Sequence, residues 1–326
     1  MQLWDIEQQD LYALKGRFQR DRQGHEVWVL SMKRAWTWLE GRWVEEEAPA
    51  IINDDPIYAG DAGFSAMISD HDFPIHKKNT DVLVYGKAKT YTKKPMSSHT
   101  CRLLIDEHID KSLIIIGERQ WIDHSGSLTV SSAKPFIERE IDYTNAIGGD
   151  ERNRLGSGIA DTNEELASMK VPSVFYVGQN WQANSNKVQV AGFGPLPPFF
   201  SERSRWAGTF DERWQEERRP LWPIDFDDRF YQSAPHDQQC KGYLIGGERL
   251  MVSGFCHDDA LSFRIPTEKY QATVTFQDKE EISLMPIYTV WIDANKKRVE
   301  VIYTASFHCQ DREHLLTSSR LEEVSS

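Results

Sequence analysis

The segment from Gly192 to Pro235 constrains this chain more than any other stretch. It holds ten aromatic residues, six prolines, six arginines and eight carboxylates, with no helical or strand periodicity along most of its length. A segment too polar to bury apolar surface stays unfolded, and such segments are poor in aromatics. This one is rich in Phe and Trp, so it must pack, while its prolines forbid long regular elements. Long irregular segments inside compact domains are uncommon and, when ordered, usually functional. The expectation is a structured, irregular wrap laid over a core.

The rest of the chain supplies that core as short β-like runs. The turn-prone stretch Asp21 to Gly24 separates Tyr12–Phe18 from Glu26–Leu30, which reads as an N-terminal hairpin. Asp81 to Gly86, Cys101 to Asp106 and Lys111 to Gly117 read as strands, and the unbroken aliphatic block Leu113 to Ile116 predicts a central one. Leu128–Val130, Val188–Val190, Tyr243–Ile245 and Leu250–Phe255 continue the pattern. Gln271–Phe276, Ile282–Ile292 and Arg298–Phe307 close it, the last two joined by a tight corner at Asp293 to Lys296. Helical signals are few. Thr162 to Lys170 is one, and Phe210 to Arg219 is the other. For the second, Thr209 and Glu212 have capping-box spacing, Phe210 and Trp214 share a face, and Pro220 provides a stop. The predicted fold class is mainly β: one large antiparallel, sandwich-like domain over residues 1–326, with long irregular insertions and a few short helices.

Charge narrows the partners. A formal net charge of -12 argues against nucleic acid or an anionic membrane surface as the main target. The acidic runs Glu45–Glu47, Asp54–Asp55 and Asp225 to Asp228 read as solvated faces, with a basic partner as the alternative. The cysteines Cys101, Cys240, Cys256 and Cys309 form no CxxC pair and read as core thiols. The first residues carry no secretory pattern, and the longest aliphatic run is too short to span a bilayer. A cytoplasmic location without a membrane span is expected.

Chemistry-bearing motifs are sparse. The chain has no GxSxG elbow, no GxGxxG and no P-loop, and Gly156-Ser157-Gly158 has no strand leading into it. Asp70-His71-Asp72 and His257-Asp258-Asp259 are local clusters, but neighbouring strand residues face opposite ways and rarely serve one ion. Asp225 and Asp227 would share a face on a strand, as an acid and a base might, although an Asp after Pro223 more commonly ties a turn or pairs with Arg229. No catalytic residue, metal or cofactor is therefore assigned. For partner contact, Trp36, Trp38 and Trp43 stand out: Trp36 and Trp38 share a strand face, and Lys33, Arg34, Glu40 and Arg42 suggest a polar rim. Packing on the sheet is the competing reading.

An ordered series of motifs then carries a resemblance. It runs from Lys78–Val84 through Gly117–Trp121, Ile141–Gly149 and Gly192–Pro195. It continues with Gly208–Trp214, Pro223–Asp227, Ala234–Gln238 and Gly246–Glu248. Over about residues 56–266 this series resembles the bacterial family called domain of unknown function 2169, found in type VI secretion gene clusters. The hairpin region 1–55 and the strands of 267–326 would pack on that part. The resemblance implies an adaptor or chaperone that holds a secreted effector in the cytoplasm and helps mount it on the spike protein, with no nucleic acid involved. It also implies structural roles for Gly148, Gly149, Gly208, Thr209, Asp211, Trp214, Pro223, Asp225 and Phe226. Two positions depart from the family pattern: Asn145 stands where an Arg is usual, and Arg154-Leu155 where Asn-Pro is usual. The alternatives left by the residues are a carboxylate-based hydrolase or carbohydrate-binding enzyme around Asp225 to Asp228, and a baseplate-like structural component.

Overall fold

Alternating apolar residues on the strand Glu26–Leu39 organise the molecule, because each face of that strand buries a different cluster. In the computed structural model, which describes residues 5–6, 12–258, 260–277 and 279–324, this strand pairs antiparallel with Ala13–Arg20 and with Arg298–His308. Ile287–Asp293 and Asp81–Tyr85 extend the sheet, the last pair parallel, and Arg42–Glu45 adds a sixth strand beside Leu39. A five-stranded antiparallel sheet runs Val174–Tyr176, Ile109–Ile116, Ser98–Ile105, Arg249–Ser253, Leu261–Arg264. A four-stranded sheet contains Asp5–Ile6, Leu316–Val324, Lys269–Phe276 and, at its edge, Lys279–Leu284.

Trp28, Leu30, Met32 and Trp36 point from the long strand into the main core. There they meet Leu103, Leu113 and Val252 of the five-stranded sheet and Ala272, Val274 and Leu321 of the four-stranded one. One core thus joins residues from Leu14 to Leu321. Gly16 is part of this fit: a Cβ there would lie 2.0 Å from Cζ2 of Trp28, whose indole covers the glycine.

Val27 and Val29 point the other way, onto Phe73, Ile75, Phe226 and Tyr231. The last two belong to the Gly192–Pro235 wrap, which therefore covers the back of the six-stranded sheet as its aromatic content predicts. Further along this back face the sheet is polar and still buried. Lys33 lies 2.6 Å from Asp72 and 3.2 Å from Glu300, and Lys77 lies 2.7 Å from Asp81. Burial works against the Lys33 ammonium, but Asp72 and Glu300 overcome it and raise its pKa. Arg203, in the wrap, donates to Asp70 at 2.6 Å, to the Phe230 carbonyl at 2.8 Å and to the Leu196 carbonyl at 2.9 Å. Gln232 and the Ser233 amide close on the Asp81 carboxylate at 2.6 and 2.8 Å. These contacts satisfy charges that would otherwise be costly to enclose.

Several expectations change. Val188–Val190 and Tyr243–Ile245 form no strand, since Val188 and Leu244 bury as isolated anchors within loops. The run Ile282–Ile292 is two strands, Lys279–Leu284 and Ile287–Asp293, parted at Pro286, which has no amide to donate to a ladder. The Asp293 to Lys296 corner does join a hairpin, with Asp293 accepting from the Lys296 amide at 3.0 Å. Leu113 to Ile116 lies in an internal strand, but Leu113 and Ile115 alternate with half-buried Ile114 and Ile116, which pack on a separate cluster with Phe175 and Val188. Among the described residues, no helix is long and apolar enough to cross a membrane.

Candidate functional site

The segment from Gly208 to Asp227 folds into one corner of the wrap. Gly208 has φ +85°, and a Cβ there would meet both Asp225 Oδ1 and Pro223 Cβ at 2.7 Å, so the position excludes side chains twice over. That closeness lets the Thr209 amide and hydroxyl donate to the Asp225 carboxylate at 2.9 and 2.8 Å. Asp211, in extended conformation, accepts from the Trp214 amide at 2.8 Å and starts the helix Glu212–Glu217. The cap is therefore Asp211 and not Thr209, whose side chain is occupied by Asp225; the helix is shorter than the expected Phe210 to Arg219. The other helix starts where expected, at the Thr162 cap, with Glu165 N donating to its hydroxyl at 3.1 Å.

Aromatics close the corner. Trp214 donates from Nε1 to the Leu221 carbonyl at 2.8 Å and meets Phe210 edge-on at 4.8 Å. Trp222 stacks on buried Phe226 at 4.6 Å. Asp227 accepts from the Arg229 amide, Nε and Nη2 at 2.9, 2.9 and 2.7 Å, while the guanidinium of Arg229 lies 3.3 Å from the centre of the Trp206 ring. Those hydrogen bonds hold the Asp227 carboxyl down to about 2, and the Thr209 amide does the same, less strongly, for Asp225. Both carboxylates are thus committed acceptors within the corner. Phe210 and Ile224 stay open to solvent at 50% and 66% exposure, and Ile224 lines a groove of about 110 Å³.

Asp228 differs from its neighbours. It stands at the mouth of a cleft of about 710 Å³ that Asp21, His76, Tyr231, Tyr288 and His308 also line. Partial burial raises its carboxyl. Asp21 is occupied by the Gln23 and His25 amides, each at 2.9 Å, and lies 3.8 Å from His308.

The glycines of the second motif serve a different junction. Gly148 and Gly149 pass so close to another segment that a Cβ would meet the Asn153 and Ile159 carbonyl oxygens at 2.2 and 2.3 Å respectively. Asn153, fully buried, is the hub. Its Nδ2 donates to the Tyr143 and Ile147 carbonyls at 2.7 and 3.0 Å, and its Oδ1 accepts from the Leu155 and Gly156 amides at 3.2 and 3.1 Å. Asn145, at the departure from the family pattern, donates to Asp142 at 3.0 Å.

The tryptophan trio lies apart from both. Trp36 is buried, with 9% exposure, and packs on Phe263 at 5.4 Å, so it is a core residue rather than a rim-framed contact. Arg34, expected at a solvent rim, is also buried and lies against the Trp36 ring at 4.9 Å. Trp43 is half-buried and donates to the Ser262 carbonyl at 2.6 Å. Trp38, half-buried at the end of the row, meets Trp43 edge-on at 5.3 Å. Trp36 and Trp43 thus pack against the strand Leu261–Arg264, and Trp38 joins them through Trp43.

The His/Asp clusters have local employment. Asp70 pairs with Arg203 and Asp72 with Lys33. His257 bridges the Thr90 carbonyl and Glu138 at 2.9 and 3.0 Å; Asp259 lies outside the described residues. Among the described residues no group of three or more His, Cys, Asp or Glu side chains could hold a metal ion. The four cysteines are buried and unpaired. Asn153 and Arg203 are residues that sequence inspection passes over, and Lys33, expected at a polar rim, is buried: a lone Asn, Arg or Lys carries no local sign of burial.

The chain is thus a mainly β protein whose motif residues build junctions of the fold. A family model described as an uncharacterized protein conserved in bacteria, DUF2169, matches residues 23–304. The chain belongs to that family, and the match reaches beyond residues 56–266 into both the N-terminal hairpin and the C-terminal strands. No curated protein and no solved structure matches it.

Proposed function

We propose that this protein is a non-enzymatic adaptor that binds a secreted effector in the cytoplasm and assists its loading onto a type VI spike complex. The observation that carries the reading is the economy of the Gly208–Asp227 corner. Its aspartates Asp225, Asp211 and Asp227 are consumed by Thr209, the Trp214 amide and Arg229, whereas the apolar Phe210 and Ile224 stand exposed among the exposed charged side chains of the helix Glu212–Glu217. A hydrolytic pair needs carboxylates that are free to exchange protons; a polypeptide-binding surface needs exposed apolar anchors among polar groups. The type VI assignment comes from the motif resemblance. Co-expression with the products of neighbouring genes, followed by affinity purification and size-exclusion chromatography, tests the binding claim. The reading expects a stable complex with one neighbouring effector; elution of the chain alone beside soluble, fully active neighbours would count against it.

A second reading attaches to Asp228, whose raised carboxyl faces the 710 Å³ cleft with His76 and His308. It requires a hydrolytic activity that Asp228→Asn abolishes; the adaptor reading requires that this substitution leave partner capture unchanged.

A further inference from the structure

We infer that the cleft between Arg119 and Arg139 is a binding site for a carboxylate group. The cleft measures about 740 Å³, and Trp121, Met169 and Val171 supply apolar wall beside the two guanidiniums. Pro172 and Ser173 anchor one arginine each. Nη2 of Arg119 donates to the Pro172 carbonyl at 2.7 Å, with its guanidinium 5.0 Å from the Trp181 ring centre. Nε of Arg139, on the strand Glu138–Glu140, reaches Ser173 Oγ at 3.4 Å.

What these arginines lack is an acid. Arg34 and Arg203, the buried arginines among the described residues, have carboxylates at 2.6 Å. Among the described residues neither Arg119 nor Arg139 has one within ion-pair distance, and Nε of Arg119 is buried without an acceptor. The carboxylates bordering the cleft are already engaged: Glu118 with Lys134 at 3.2 Å, Glu140 with Lys87 at 2.8 Å, and Asp142 with the Thr144 amide at 2.9 Å. Burial, followed by repulsion from Arg139, disfavours the Arg119 cation. Two half-buried like charges on one cleft repel until an anion sits between them. A guanidinium fork matches a planar carboxylate, and the acidic border disfavours a dianion such as phosphate. The apolar wall suits an organic acid over a bare inorganic ion. This inference stands independently of the adaptor reading.

The carboxylate could belong to a free small acid or to a polypeptide. The test is titration of the full chain at constant ionic strength with propionate, with a blocked Asp-containing tripeptide and with inorganic phosphate, read by the arginine Nε–Hε NMR signals. Saturable shifts at Arg119 and Arg139 are expected from a carboxylate probe. Saturation by propionate points to a free acid, and saturation by the tripeptide alone points to a polypeptide. Arg139→Gln should weaken binding by about tenfold or more, the loss of one charge-assisted contact. Arg139→Lys, which keeps the charge without the fork, should fall between and serves if the first variant does not fold. Absence of saturable shifts, equal binding by Arg139→Gln or Arg139→Lys and the parent, or saturation by phosphate alone would overturn the inference.

Discussion

At the scale of single residues, the side chains that matter most are polar and hidden. Asn153 satisfies two carbonyls and two amides at the Gly148–Gly156 junction. Asn153→Ala should therefore cost about 3 kcal/mol, since each buried group left unpaired costs roughly 1–3 kcal/mol; urea denaturation measures it. The tryptophans separate in the same way. Trp36→Ala removes a buried indole and should cost about 3–5 kcal/mol, so its effect on any partner is confounded with folding. Trp38→Ala, at the half-buried end of the row, should leave the urea midpoint nearly unchanged and is the usable probe of that surface. Comparable losses for the two would contradict their different placement.

At the scale of elements, local spacing shows where a helix or strand exists and misses what its ends are doing. A helix near Phe210 to Arg219 was legible from Pro220, the capping-box spacing and the shared face of Phe210 and Trp214. Its cap was not, because Thr209 is claimed by Asp225, sixteen residues further on in sequence. Asp211→Ala should cost about 1 kcal/mol as a lost N-cap, whereas Thr209→Ala should leave helix content intact while releasing Asp225. A larger loss of helical circular dichroism from Thr209→Ala would reverse the assignment. Strand signals behaved likewise. The hairpin at Asp21 to Gly24 was readable from turn chemistry, while the reach of its second strand to Leu39 was not: Ser31, Lys33 and Arg34 look solvent-facing until Thr304, Asp72 and Tyr270 are brought against them. The shared strand face of Trp36 and Trp38 was legible; that Trp36, with Trp43 from the next strand, packs inward depends on the strand Leu261–Arg264, more than two hundred residues away.

At the scale of the whole molecule, the wrap is held to the rest of the fold by the enclosed Arg203–Asp70 ion pair and by hydrogen bonds to Asp81 as well as by aromatics, which gives the fold an acid-sensitive seam. Burial alone would raise the Asp70 carboxyl; Arg203 outweighs it and holds the carboxyl below its ordinary value. A carboxyl depressed in the folded state contributes stability above its unfolded pKa of about 3.9, lost as pH falls through the folded value. Acid should therefore loosen the wrap, read as a change in tryptophan fluorescence below about pH 4. Asp70→Asn, which strands a buried Arg203, should cost about 3–5 kcal/mol at neutral pH and blunt that transition. A wrap held so firmly suits a surface that must present the same apolar side chains to a client each time. The most direct measurement of that role is effector export from cells lacking the chain. The adaptor account predicts that the partnered effector disappears from the medium while the core spike protein is still secreted. Unchanged export of every effector encoded nearby would contradict it.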